Sequence, residues 1–397
     1  MTQTEIRPGL HYVGVNDRTK TLFEGLWPLP SGVSYNSYLL IDEQVALIDT
    51  VDACYTDTFL AKIAEILGER KVDYLIVNHM EPDHSASIAA LRRAYPDVKI
   101  VGNAKTLPMI EGYYGITEGT VKVNEGDTLC IGKRTLVFYM IPMVHWPETM
   151  VTYSPEEQVV FSGDAFGTFG ALDGGITDRE LDTTRYWDEM YRYYANIVGK
   201  YGSPVQKALA KLSSLPVRTI CSTHGPVWID HTEKVIGLYD RMSRYDADPG
   251  VVIAYGSMYG NNARLAERIA RELARKGVSQ IVVHDLSRSH ASYVLRDVFK
   301  YDTLIVGSPT YNGNLFPPVE SLLRDLEHRC IPHRYFGCFG SFTWAGTAVR
   351  KLTEFVSAMG WELMGEPIEM KQGYTPEKGD ACLPLVDAVA ERLGKKS

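Results

Sequence analysis

Between residues 78 and 87 the chain reads NHMEPDHSAS, and His79, Glu81, Asp83 and His84 crowd into six positions. Imidazole and carboxylate are ligands for redox iron and for zinc alike, and affinity order does not choose between them. Three more residues of these types follow: His145 in MVHWPET, Asp164 in VVFSGDAFG and His224 in TICSTHGPV. Each closes an apolar run of strand type, where loops build sites rather than cores. Singly, such a histidine is more often structural and the aspartate more often a cap; number and order make the argument. The six cysteines contain no C-x-x-C pair, which removes the usual thiolate spacings for zinc, iron or a redox disulfide. Any metal must therefore be held by histidine and carboxylate.

A second constellation lies further on. SMYGNNA (257–263) follows the strand-type run VVIAYGS and leads into a helical pattern. Small and hydroxyl residues there let backbone N–H groups converge on an anion at a helix N-terminus. The loop lacks the lysine of a P-loop, and alone it is a weak signal. GSPTYNGN (307–314) and GSFTWAGT (340–347) also follow apolar strands, at positions where the C-terminal ends of a parallel sheet flank one crevice.

Two kinds of element must position these residues. In the first half SYNSYLLI, QVALIDTV, DYLIVNH, KIVGN, TLVFYMIPM, TMVTYSP and QVVFSGD read as strands, and YTDTFLAKIAEILGER has helical spacing. In extended chain His79, Glu81 and Asp83 point to one side, with His84 reached from the helix that follows Pro82. The aromatic run Trp187–Tyr194 reads as core packing; Trp146 either lines a pocket or packs. DPG (248–250) reads as a turn, and the domain boundary is placed there: 1–248 and 249–397. Beyond it strand and helix alternate, which implies a parallel sheet covered on both faces.

The order H-x-[HE]-x-D-H, then His, Asp and His, resembles the metallo-β-lactamase fold. Asp49 in LIDT falls at that fold's buried acidic position and reads as structural. Glu81, where dizinc hydrolases have a second histidine, matches the flavodiiron proteins, and the three later loops are similar to flavodoxin. The resemblance covers nearly the whole chain. It implies an α/β chain, an N-terminal metallo-β-lactamase-like αββα sandwich followed by a flavodoxin-like doubly wound parallel sheet. It implies two iron ions, one held by His79, Glu81 and His145, the other by Asp83, His84 and His224, with Asp164 between them. His84 stays open, because in some members the matching histidine turns away from iron. It also implies FMN. Ser257, Met258, Tyr259, Gly260, Asn261 and Asn262 would take the phosphate, with the Asn262 amide donating. Pro309, Thr310, Tyr311, Asn312 and Gly313 would form one wall of the ring site, and Ser341, Trp344, Ala345 and Gly346 the other, with Trp344 stacking on the ring.

The two halves make sense together, since hydrolysis moves no electrons whereas a carboxylate-rich iron pair needs a supply. The resemblance implies reduction of dioxygen to water, of nitric oxide to nitrous oxide, or both. The alternative is a dizinc hydrolase with an appended flavodoxin domain. Electrons are expected from outside: rubredoxin, a flavoprotein reductase or a reduced deazaflavin coenzyme. A homodimer or homotetramer packed head to tail is implied by resemblance alone. The net charge of −8 argues against nucleic acid or an anionic membrane as partner. No apolar run reaches the roughly 20 residues of a membrane span, and the first residues lack a secretory pattern, so a cytoplasmic protein is expected. His11, His231, His284, His290, His328 and His333 fit no ligand pattern.

Overall fold

YLLI, VALI and YLI, at Tyr38–Ile41, Val45–Ile48 and Tyr74–Ile76, are buried almost throughout, as strands covered on both faces are. In the computed structural model, which describes residues 4–394, they form the middle of a seven-stranded sheet. Its order is Glu5–Arg7, Leu10–Tyr12, Tyr38–Ile41, Val45–Ile48, Tyr74–Ile76, Lys99–Gly102, Thr120–Lys122. Pairing is antiparallel as far as Val45–Ile48 and parallel beyond it. A second sheet runs Thr128–Cys130, Thr135–Met140, Met150–Ser154, Val159–Gly163, Thr219–Ser222, and only its last pair is parallel. The two sheets meet face to face. The Tyr38 ring lies 5.5 Å from that of Phe161, and its hydroxyl donates to the Ser222 carbonyl at 2.6 Å. Helix Thr56–Leu67 covers the sandwich with Phe59, Ile63 and Leu67, spaced four apart on one stripe.

This topology gathers loops. His79 follows the strand Tyr74–Ile76, Asp164 follows Val159–Gly163, and His224 follows Thr219–Ser222, while His145 lies between Thr135–Met140 and Met150–Ser154. Three of these four therefore leave the C-terminal ends of parallel-paired strands, the side where open α/β sheets bind ligands.

Contacts divide the chain into two units, one reaching to Ser243 and the next beginning at Arg244. The second unit has a parallel sheet ordered Ile281–Asp285, Asp248–Tyr255, Tyr301–Pro309, Tyr335–Phe342, with Glu362–Leu363 and Ile368–Lys371 both paired to the last of these. That is the flavodoxin order 2-1-3-4-5. Helix Asn261–Arg275 packs Leu265, Ala266, Ile269 and Leu273 onto Val251, Ile253 and Ile305.

Asp248 and Pro249 begin a strand rather than a turn: Asp248 pairs with Tyr301, and the register shifts before Val251. Proline at a strand's start, next to a bulge, gives up no interior ladder bond. The edge strand Ile368–Lys371 and helix Leu383–Gly394 were also beyond the sequence reading. Among the described residues no helix is long and apolar enough to cross a membrane.

Candidate functional site

The carboxyl group of Asp164, fully buried, faces two ways. Its Oδ2 lies 3.6 Å from His79 Nε2 and 3.1 Å from His145 Nε2, and Glu81 Oε2 is 3.0 Å from that same His145 nitrogen. Its Oδ1 lies 3.2 Å from His84 Nε2 and 3.5 Å from His224 Nε2, while Asp83 Oδ2 is 3.2 Å from His224 Nε2. All seven residues singled out in the sequence thus converge. Potential donor atoms of His79, Glu81, His84 and Asp164 lie within 4.8 Å of one another, as do those of Asp83, His84 and His224. His84 points into the cluster. Pro82–Ser85 is a helical turn with proline at its first position, where proline is pre-organised. The turn ends the extended run after Glu81 and carries Asp83 to His224, in the second group.

The rings are aimed from behind. His79 Nδ1 donates to Glu148 Oε1 at 2.6 Å, and the Met80 N–H donates to the same oxygen at 3.0 Å. His224 Nδ1 donates to the Ser34 carbonyl at 2.7 Å. Each bond fixes the tautomer that leaves Nε2 bare toward the cluster. The Thr223 hydroxyl donates to Asp164 Oδ1 at 2.6 Å. Phe23, Tyr35 and Tyr193 surround the His224 ring at 5.4, 5.9 and 5.6 Å, so Tyr193 of the aromatic run is a wall of the site as well as core. Trp146 stands edge-on to the His79 ring at 5.2 Å and acts as packing. Asp49 accepts from the Asn78 N–H at 2.7 Å and braces the loop.

In the second unit, a cleft of about 610 Å³ opens at the three loops, a size typical of small-molecule sites. All the expected contacts line it except Gly260 and Gly346; Phe342, Thr343, Gln372 and Gly373 join them. Gly260 takes φ +84° before helix Asn261–Arg275, a left-handed turn that glycine makes without strain. The Asn262 amide donates inward to the Gly256 carbonyl at 3.0 Å and so braces the loop. The Thr310 hydroxyl accepts from the N–H groups of Thr347 and Ala348, tying the second loop to the third. Tyr259 and Trp344 are 90% and 89% exposed, and such bare aromatic faces suit a planar ring.

The domain order and the sequence agree with known proteins. An ODP family beta lactamase model matches residues 33–225, and a flavodoxin model matches 253–383. A nitric oxide reductase of Moorella thermoacetica is 31% identical over 98% of both chains. A rubredoxin-oxygen oxidoreductase of Megalodesulfovibrio gigas is 30% identical over 100% of this chain and 99% of its own. The chain belongs to the flavodiiron protein family. Among solved structures, rubredoxin oxygen:oxidoreductase from Desulfovibrio gigas superposes with a TM-score of 0.94 at 30% identity, covering 99% of both chains. The flavodiiron protein from Giardia intestinalis gives 0.92 at 28%, covering 99% of this chain and 98% of its own.

The residues of this flavodiiron chain fit a metal pair. His79 Nε2, both ring nitrogens of His84, His224 Nε2 and both Asp83 oxygens are buried without a hydrogen-bond partner among the described residues, a condition that buried polar atoms rarely tolerate. The field points the same way. Burial alone lowers the pKa of His145, but Asp164 and Glu81 outweigh it and push the value up to about 10. His79, His84 and His224 move upward too, against burial, through Glu148 and neighbouring carboxylates. Asp164 is held well below the usual carboxylate range by the surrounding imidazoles, His84 foremost, despite its burial. A field that keeps protons on these rings also favours a divalent cation, and the two compete for the same nitrogens. Because His145 of the metal-free protein keeps its proton until pH about 10, raising the pH removes the competitor. Ferrous ion should therefore bind more tightly as pH rises from neutrality, with protons released. Anaerobic calorimetry in two buffers of different ionisation enthalpy counts those protons, and zero release would contradict this account.

Four features escaped the sequence reading. Glu148 follows a proline and looks like a surface acid. The Ser34 acceptor is a backbone carbonyl, and the Thr223 hydroxyl precedes a ligand inside a strand-end run. Glu24, on an irregular loop at φ +52°, lines a pocket of about 250 Å³ with Lys20, Asp52, Glu81 and Asp83. Three histidines outside the cluster have other partners: His284 pairs with Asp297 at 2.8 Å and His231 with Asp178 at 2.9 Å, and His290 caps helix Ala291–Lys300.

Proposed function

We propose that this protein reduces dioxygen to water, nitric oxide to nitrous oxide, or both, at an iron pair fed by FMN, and so removes these gases. The reading rests on Asp164: one oxygen meets His79 and His145, the other His84 and His224, as a carboxylate shared by two metal ions would. His79, Glu81 and His145 would hold one iron, and Asp83, His84 and His224 the other. Glu81 adds a third carboxylate beside His145 and favours redox iron over the dizinc hydrolase reading. When bound, the iron pair and reduced FMN together supply four electrons, enough to take dioxygen and four protons to two waters, while two electrons take two nitric oxide molecules and two protons to nitrous oxide and water. The names of the Moorella and Megalodesulfovibrio relatives support the same substrates.

The chain's own work is orientation and proton supply. Glu148 and Ser34 hold the rings of His79 and His224, and Phe23, Tyr35 and Tyr193 pack around the His224 ring. Glu24 Oε2 accepts from Trp27 Nε1 at 3.0 Å, and burial together with the charge of Glu81 pushes its pKa up to about 7. A carboxyl that still carries its proton near neutrality is suited to deliver one to the reduced gas. Glu24→Gln should then slow turnover by roughly a hundredfold, the low end of general-acid effects, with iron and flavin content unchanged; an unaltered pH–rate profile would remove Glu24 from the proton path.

The domain roles follow: residues 1–248 for iron, 249–397 for FMN. Ser257, Tyr259, Gly260, Asn261 and Asn262 would face the phosphate, with Tyr311 and Trp344 at the ring. A head-to-tail homodimer or tetramer, a rubredoxin-like or flavin donor and a cytoplasmic location complete the reading. Metal analysis and a visible spectrum, followed by parallel turnover of both gases, test it. Zinc in place of iron, or a reduced holoprotein inert to both gases, would overturn it.

A further inference from the structure

The site has a polar approach and, behind it, a separate apolar space. Lys20, Glu24, Asp52, Glu81 and Asp83 line the former, a surface that attracts water and protons. Between helices Gly202–Leu212 and Thr232–Ser243 lies a groove of about 750 Å³, with Val160, Leu215, Val217 and Ile236 in its lining and Glu233 and Asp240 among its polar members. A small cavity of about 10 Å³ adjoins it, room for one molecule the size of water. Phe166, Leu209 and Leu212 line both spaces and form the partition. The cavity's remaining lining includes Ile141, Val144 and Ala165, and the last two are the chain neighbours of His145 and Asp164. Every lining side chain is hydrocarbon except Tyr239, whose hydroxyl donates to the Gly167 carbonyl at 3.5 Å.

We infer that this groove and cavity form an access route for an uncharged diatomic gas, ending behind His145 and Asp164, separate from the polar approach that serves protons. The inference deepens the proposed function and rests on it. Dioxygen and nitric oxide carry no charge and lose no hydrogen bonds on entering hydrocarbon, whereas ions and water do. Apolar cavities stay dry, and larger ones than this take up gases such as xenon. Phe166 sits at the partition in the left-handed region, φ +69°, where residues other than glycine are uncommon, and its ring packs on Tyr239 at 4.8 Å. The fold holds that ring beside Leu209 and Leu212, between groove and cavity.

Crystals of the full holoprotein pressurised with xenon should show density between Val144, Ala165 and Leu209. Leu209 and Leu212 are only half-buried, so Leu209→Trp and Leu212→Trp can be accommodated at the partition. Each should remove the xenon and slow the second-order reaction of the reduced holoenzyme with dioxygen roughly tenfold, the effect of about 1.4 kcal/mol added at the constriction. Turnover at saturating gas, and iron and flavin content, should stay as in wild type. Phe166→Ala, which widens the partition, should keep or raise the rate constant. No xenon in the wild-type cavity overturns the route, as does an unchanged rate constant in a tryptophan variant that has lost its xenon. A wild-type holoenzyme that consumes neither gas overturns the proposed function and the route with it, an outcome distinct from active enzyme with an idle cavity.

Discussion

Asp164→Ala is expected to fold, to keep its FMN and to leave reduced flavin unoxidised by dioxygen. The side chain touches both groups of ligands, so its removal strips one oxygen from each. Loss of a supporting partner alone weakens metal binding about 10–100-fold; loss of a ligand shared by two ions compounds that, and turnover should fall roughly a thousandfold or more. The flavin loops, residues 257–262, 309–313 and 341–346, lie in the other unit, so flavin content serves as the internal control for folding. The measurement is anaerobic photoreduction followed by stopped-flow mixing with dissolved oxygen. Oxidation at the wild-type rate in a variant with full flavin would remove the metal centre from the reaction.

Glu148→Ala should be nearly as damaging, although Glu148 is not among the candidate ligands. Its Oε1 accepts from both His79 Nδ1 and the Met80 N–H, in a position with no exposure to solvent. Truncation frees the His79 ring to rotate and leaves a buried N–H without an acceptor, which costs about 1–3 kcal/mol of folding free energy. Iron affinity at the His79, Glu81 and His145 group should drop about 10–100-fold. Glu148→Gln keeps an oxygen at the same place and should recover most of the iron binding. Iron bound per chain at graded ferrous concentrations, read together with thermal unfolding, checks this. Equal iron binding in the alanine and glutamine variants would show that the carboxylate does not orient the ring.

What the sequence made legible follows from how each group is used. His79, Glu81, Asp83 and His84 stand in one short run, Asp164 and His224 each close an apolar strand, and His145 lies in the loop after one, so type and position coincide. The alternation of strand and helix after residue 250 likewise exposes a parallel sheet, because its buried runs are long and regular. Partners that act through backbone atoms leave no such trace: Ser34 serves by its carbonyl, and any residue type offers one. Glu148 is hidden because a glutamate after proline reads as solvent-facing, and only the tertiary fold buries it under His79. Pro82 marks where the extended run turns into a helix, so that one short stretch serves both groups. The bond of the Asn262 amide to the Gly256 carbonyl is likewise invisible in the sequence, because its acceptor is a backbone atom.

The claim beneath all of this is that one buried carboxylate separates two metal positions of unlike composition. An anomalous difference map at the iron edge, from crystals of iron-loaded holoprotein, tests it most directly. The account predicts two iron peaks flanking Asp164, one among His79, Glu81 and His145 and the other among Asp83, His84 and His224. A single peak, or two peaks whose signal appears at the zinc edge in protein that reduces either gas, would contradict it.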